Sequence, residues 1–87
     1  METRTLRIMN PLGMHARASA RFVRVASRFV STIRVQRNDN VMDGKSIMGL
    51  LLLAAGHGAT ITVSADGPDE REAVSALEQL VAQDFEA

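Results

Sequence analysis

Cysteine is missing from this 87-residue chain. That absence excludes disulfides, thiolate metal sites and thiol catalysis together, and it fits a reducing compartment. Long apolar runs are missing too. The longest, Ile47 to Ala55, carries Gly49 inside it, whereas a membrane-crossing helix takes about 20 apolar residues. The opening Met1-Glu2-Thr3-Arg4 lacks the apolar stretch of a secretory leader. The expected location is the cytoplasm, with no membrane insertion. With two histidines and no cysteine, a metal site has almost no ligand set, so neither metal nor cofactor is expected. Net charge is zero, which argues against nucleic acid as a main partner.

What is present is enough for one domain spanning residues 1–87. Apolar residues make up 46% of the chain, which allows a modest core. Charge is unevenly placed. Residues 1–37 hold eight arginines and one acid, whereas residues 38–87 hold two cations and nine acids. The halves therefore carry about +7 and −7, which implies a basic and an acidic face unless folding mixes them.

The hydrophobic period changes along the chain. Thr3 to Met9 alternates as a strand, with Leu6 and Ile8 on one side. Asn10-Pro11-Leu12-Gly13 is turn chemistry. From Ala16 to about Phe29, the residues Ala18, Phe22, Val25 and Phe29 form one helical stripe. Thr32 to Arg37 and Val41 to Asp43 read as strands joined by a hairpin at Asn38-Asp39-Asn40. Ser46 suits the N-cap of a short helix from Ile47 to about Leu53, broken by Gly56-His57-Gly58. Thr60 to Ala65 alternates clearly. Asp66-Gly67-Pro68 then turns into a last helix with a stripe of Val74, Leu77 and Val81. The order β-α-β-β-α-β-α predicts an α+β fold: a four-stranded antiparallel sheet with three helices on one face.

The chemistry gathers at Gly13-Met14-His15-Ala16-Arg17. His15 stands just before a helix whose opening N–H groups lack internal partners and attract anions. Imidazole ionises near neutrality, so a histidine keeps a neutral, nucleophilic fraction. The planar guanidinium of Arg17 can clamp phosphate oxygens. No general base, paired carboxylate or metal set accompanies them, which suits a relay that receives and donates a group better than a turnover enzyme. On these residues alone, a capping or turn histidine is the preferred reading.

Two motifs change that weighting. Leu12-Gly13-Met14-His15-Ala16-Arg17-Ala18-Ser19 resembles the active-site signature of the HPr phosphocarriers of the phosphoenolpyruvate-dependent phosphotransferase system. Gly44-Lys45-Ser46-Ile47-Met48-Gly49-Leu50 resembles the second signature of that family, and order, spacing and length agree over essentially the whole chain. The resemblance implies an open-faced β-sandwich. It also implies that His15 accepts a phosphoryl group on its pros nitrogen from phosphorylated enzyme I and passes it to an enzyme IIA domain, with Arg17 steadying it. The family usually has proline after the arginine, where this chain has Ala18. Alanine keeps the helix.

Gly44-Lys45-Ser46 is not a nucleotide-binding P-loop, since Asp39 stands where its first glycine belongs. Besides its cap role, Ser46 is a candidate regulatory phosphorylation site for an HPr serine kinase/phosphorylase. Phosphate there would place about two negative charges on a docking surface. Arg17, Arg21, Arg24 and Arg28 form a basic stripe with no acid on the same helix, able to steer an acidic partner. The short helix is apolar almost all round, so Leu50 and Leu53 are expected in the core and Ile47, Met48 and Leu51 on an exposed docking patch. His57 reads as a solvated loop residue. The chain is expected to act as a monomer. The alternative is a mainly regulatory, nitrogen-type or catabolite-control module that acts through Ser46, with His15 secondary.

Overall fold

The computed structural model describes residues 1–86. It runs β1 (Glu2–Arg7), α1 (Ala16–Ala26), β2 (Thr32–Arg37), β3 (Asn40–Asp43), α2 (Ile47–Leu52), β4 (Thr60–Asp66) and α3 (Glu70–Ala82). The four strands make one sheet in the order β1-β4-β2-β3, every pair antiparallel. This is the α+β order anticipated above.

Alternation decides the two faces of the sheet. Leu6, Ile33, Val35, Ile61, Val63 and Ala65 turn inward and are buried. They meet Ala18, Phe22, Val25 and Ala26 of α1, Leu50 of α2, and Val74, Leu77 and Val81 of α3 in one cluster. Burying each larger side chain contributes roughly 1.5–3 kcal/mol. The other face carries polar residues matched across strands: Thr5 beside Thr62, Thr3 beside Ser64, and Arg34 and Gln36 on the far side of β4. Among the described residues, no helix covers that face.

Several boundaries differ from the periodicity. α1 ends at Ala26, and Phe29 lies beyond it. The chain tightens there into i→i+3 bonds, Arg28 N to Val25 O and Phe29 N to Ala26 O, a common way to close a last turn. Lys45 Nζ then donates to Phe29 O at 2.7 Å. β1 is assigned only to Arg7, although Ile8 still bonds Ala59 through its N–H and accepts from Gly58. Pro68 lies outside α3, with Asp69 at the N-cap position.

Asp69 does not cap its own helix through its side chain. Its carboxylate instead accepts from Val30 N at 2.9 Å, from Ser31 N at 3.0 Å and from the Ser31 hydroxyl. α3 is thereby tied to the α1–β2 loop. The Ser31 hydroxyl, with those two amides, holds the Asp69 carboxyl below its usual range. A lowered folded-state pKa adds stability above the unfolded value of about 4, which is lost as pH falls through the folded value. Asp69→Asn should therefore lower the urea midpoint at pH 7 and flatten its decline below about pH 4. Parallel wild-type and variant curves in acid would remove this role.

The charge asymmetry along the chain is partly cancelled in space. Arg4 of β1 pairs with Glu78 of α3 at 3.8 Å, and Arg21 of α1 pairs with Glu86 at 3.6 Å.

Candidate functional site

His15 occupies the N-cap of α1, with extended backbone (φ −73°, ψ 179°). Its Nδ1 accepts from Arg17 N at 3.2 Å and from Ala18 N at 3.4 Å. Two of the orphan amides at this helix entrance thus point at one ring nitrogen. In a neutral ring, an accepting Nδ1 leaves the proton on Nε2. His15 is partly exposed, whereas the Met14 side chain before it is buried.

The chain enters this position through a tightly seated turn. Gly13 adopts φ +65°, a conformation that suits glycine. A Cβ there would lie 2.5 Å from Ala55 O and 2.6 Å from Gly56 Cα. Met14 N donates to Ala55 O at 2.8 Å. The loop before His15 is therefore held by the segment that follows α2.

Beside His15 lies a cavity of about 420 Å³, lined by Asn10, Pro11, Leu12, Arg17, Ala18 and Arg21 and by Asp84, Phe85 and Glu86. The last three close the site from the far end of the chain. α3 ends there in a Schellman motif: Phe85 N donates to Leu80 O at 2.8 Å and Asp84 N to Val81 O at 3.0 Å. Asp84 and Phe85 both have positive φ, 54° and 63°, and the Phe85 side chain is buried. Its carbonyl accepts from Arg21 Nη1 at 2.6 Å. Sequence reasoning did not place this segment at the site. The available signal was Phe85 itself, a large apolar residue just beyond the final helix.

The arginine stripe is consequently interrupted. Arg21 is half-buried and tied to Phe85 and Glu86, while Arg17, Arg24 and Arg28 remain exposed. No acid pairs with the Arg17 side chain among the described residues. Ala18 does more than keep the helix. Its N–H, which a proline would lack, is one of the two donors to His15 Nδ1.

α2 is apolar almost all round, and it divides into a buried and an exposed side as expected. Leu50 and Leu53 are buried, and Ile47, Met48 and Leu51 are exposed. Leu52, at 69% exposure, and Leu12, at 75%, are also exposed. Ser46 caps α2, its Oγ accepting from Gly49 N at 3.0 Å. His57 is exposed. No group of three or more potential metal-ligating side chains occurs among the described residues, and no described helix is long and apolar enough to cross a membrane.

Known proteins resemble this chain in sequence and fold. A family model for the PTS HPr component phosphorylation site matches residues 2–83. The phosphocarrier protein HPr of Cupriavidus necator is 51% identical over 85 residues, covering 98% of this chain and 96% of the relative. That of Neisseria meningitidis is 48% identical over 81 residues, covering 93% and 91%. The crystal structure of HPr-C-His from Thermoanaerobacter tengcongensis matches with a TM-score of 0.96 at 40% identity, covering 100% and 98% of the two chains. An HPr dimer from the same organism matches with a TM-score of 0.80 at 40% identity, covering both chains fully.

Proposed function

The chain belongs to the PTS HPr family of phosphocarrier proteins, and from that premise we propose that His15 carries the phosphoryl group, on Nδ1. The observation that carries this reading is the pair of amides at Nδ1, Arg17 N and Ala18 N. They occupy the lone pair that must attack phosphorus. The ring therefore turns off its cap as the donor arrives. The N–P bond to the donor breaks with its electron pair returning to the donor nitrogen, while Nδ1 forms the new N–P bond. The two released amides then face the phosphoryl oxygens, over which charge is spread in a loose transition state. Transfer onward is the reverse exchange. The cap and the phosphoryl group compete for the same donors, which keeps the phosphorylated form from becoming a sink.

The donor is enzyme I carrying phosphate from phosphoenolpyruvate, and the acceptor is an enzyme IIA domain, both in the cytoplasm. Docking would use Arg17, Arg24, Ile47, Met48 and Leu51, with Arg21 serving as support through the Phe85 carbonyl. One copy is the working unit in this reading: His15, both amides that bond its Nδ1 and Arg17 are sequence neighbours at one helix entrance. Ser46 is the regulatory position. Phosphate on its Oγ would stay at a helix N-terminus and add about two negative charges beside Ile47 and Met48, repelling an acidic partner.

The test is to incubate the protein with enzyme I and isotopically labelled phosphoenolpyruvate, then read the linkage by 31P and 15N NMR. Acid-labile phosphate coupled to Nδ1 is the expected product. Phosphate on Nε2, or none from an enzyme I that phosphorylates another carrier, overturns the reading.

Arg17 gives a graded check. Losing a charge-assisted contact of about 1.5–3 kcal/mol should slow transfer to an enzyme IIA domain by about 10–100-fold in Arg17→Ala. Arg17→Lys should fall between, since ammonium keeps the charge but not the planar fork. Rapid-quench rates for the three proteins decide it. Equal rates would leave Arg17 without a clamp role.

A further inference from the structure

Three polar side chains are buried among the described residues: Asn10, Ser19 and Ser31. Ser31 is accounted for by its bonds to Asp69. The other two converge on the turn before His15. Asn10 Nδ2 donates to Gly13 O at 2.8 Å, and Ser19 Oγ donates to Met14 O at 3.2 Å. These are consecutive carbonyls. The Gly13–Met14 peptide unit is gripped at both ends, since its N–H also donates to Ala55 O. The Met14–His15 unit is gripped at its oxygen by Ser19.

Stability of the fold does not by itself explain Asn10. Its Oδ1 is buried with no partner, which is unfavourable. An apolar side chain of the same shape would avoid that penalty. What Asn10 supplies is a donor at one carbonyl. Ser19 is a similar case: it lies on the inward face of α1 next to Ala18 and Phe22, fully buried, where the helical period expects an apolar residue. Its hydroxyl reaches back five residues rather than into its own helix.

We propose that Asn10 and Ser19 are positioning residues for phosphoryl transfer. Together they fix the two peptide units leading into His15, so that Nδ1 meets Arg17 N and Ala18 N and the ring returns to that place after each transfer. This rests on the His15 reading above. Holding a reacting group in place is worth large factors in rate, because small displacements misalign the attack.

The test uses Ser19→Ala and Asn10→Leu. The leucine removes both the Asn10 donor and its orphan acceptor while keeping the same branched set of four side-chain heavy atoms, and the unfolding measurement reads any cost of its larger methyl groups to the fold. Each variant is measured for transfer from phosphorylated enzyme I, for thermal unfolding, and for the 15N shift of His15 Nδ1. The expected result is a fall in kcat of about tenfold or more, KM for enzyme I within about twofold because the docking patch is untouched, and a Nδ1 resonance moved towards that of free histidine. If both variants keep the wild-type kcat and Nδ1 shift, the proposal fails. A kcat that falls only with the folded fraction, at an unchanged Nδ1 shift, defeats it equally. If wild type itself takes no phosphate on His15, the fault lies with the preceding reading instead.

Discussion

His15→Ala is expected to reduce acid-labile labelling by enzyme I and phosphoenolpyruvate below detection, a loss of more than about a thousandfold. The change removes the attacking nitrogen but little of the fold. Losing an N-cap costs about 1 kcal/mol, against a typical total of about 5–15 kcal/mol. The variant should therefore unfold cooperatively a few degrees below wild type, so absence of label is not absence of protein. An internal control is built in. His57 is exposed and stands between two glycines, and the Arg17 and Ala18 amides bond His15 instead. Label that persisted in His15→Ala and mapped to His57 would mean that exposure alone suffices, and the amide pair at His15 would lose its significance.

Gly13→Ala should be among the most damaging single-methyl changes in the chain. Two penalties combine there. The left-handed backbone at φ +65° disfavours a Cβ. That Cβ would also fall within 3 Å of Ala55 O and of Gly56 Cα and C, backbone atoms that move only with their segment. A loss of about 3 kcal/mol follows, or roughly 10–25 °C in Tm for a domain of this size. Gly58 separates the two causes. Its φ is also positive, +85°, but nothing lies within 4 Å of a Cβ built there, so Gly58→Ala should cost only about 1 kcal/mol. Equal losses in the two variants, measured by calorimetry, would show that close approach at Ala55 adds nothing.

Local pattern carried much of this structure and part of its site. The helix entrance at His15 and the Ser46 cap depend on neighbours within one or two turns. Hydrophobic period and capping chemistry report such neighbours directly. What escaped the pattern involves partners distant in the chain. Asp69 serves Ser31, 38 positions away, and Arg21 serves Phe85, 64 positions away. No periodicity encodes either pair. An acid such as Asp69 suits the start of α3 because the helix dipole is a local effect, whereas its side chain bonds another loop. Phe29 extended the predicted helix because its spacing fits the stripe; the turn that removes it from α1 still leaves it against the core. Asn10 read as turn chemistry and Ser19 as one letter of a motif, and neither gave any sign of burial.

The uncovered side of the sheet has a practical consequence. A chain with no cysteine can be given one at Thr32, an exposed residue on the face opposite the helices. That thiol would be unique, so a maleimide dye or a biotin handle would attach at a single known point. Immobilised or fluorescent in this way, the carrier would keep His15, α1 and α2 turned towards incoming proteins, and both handovers could be followed one molecule at a time.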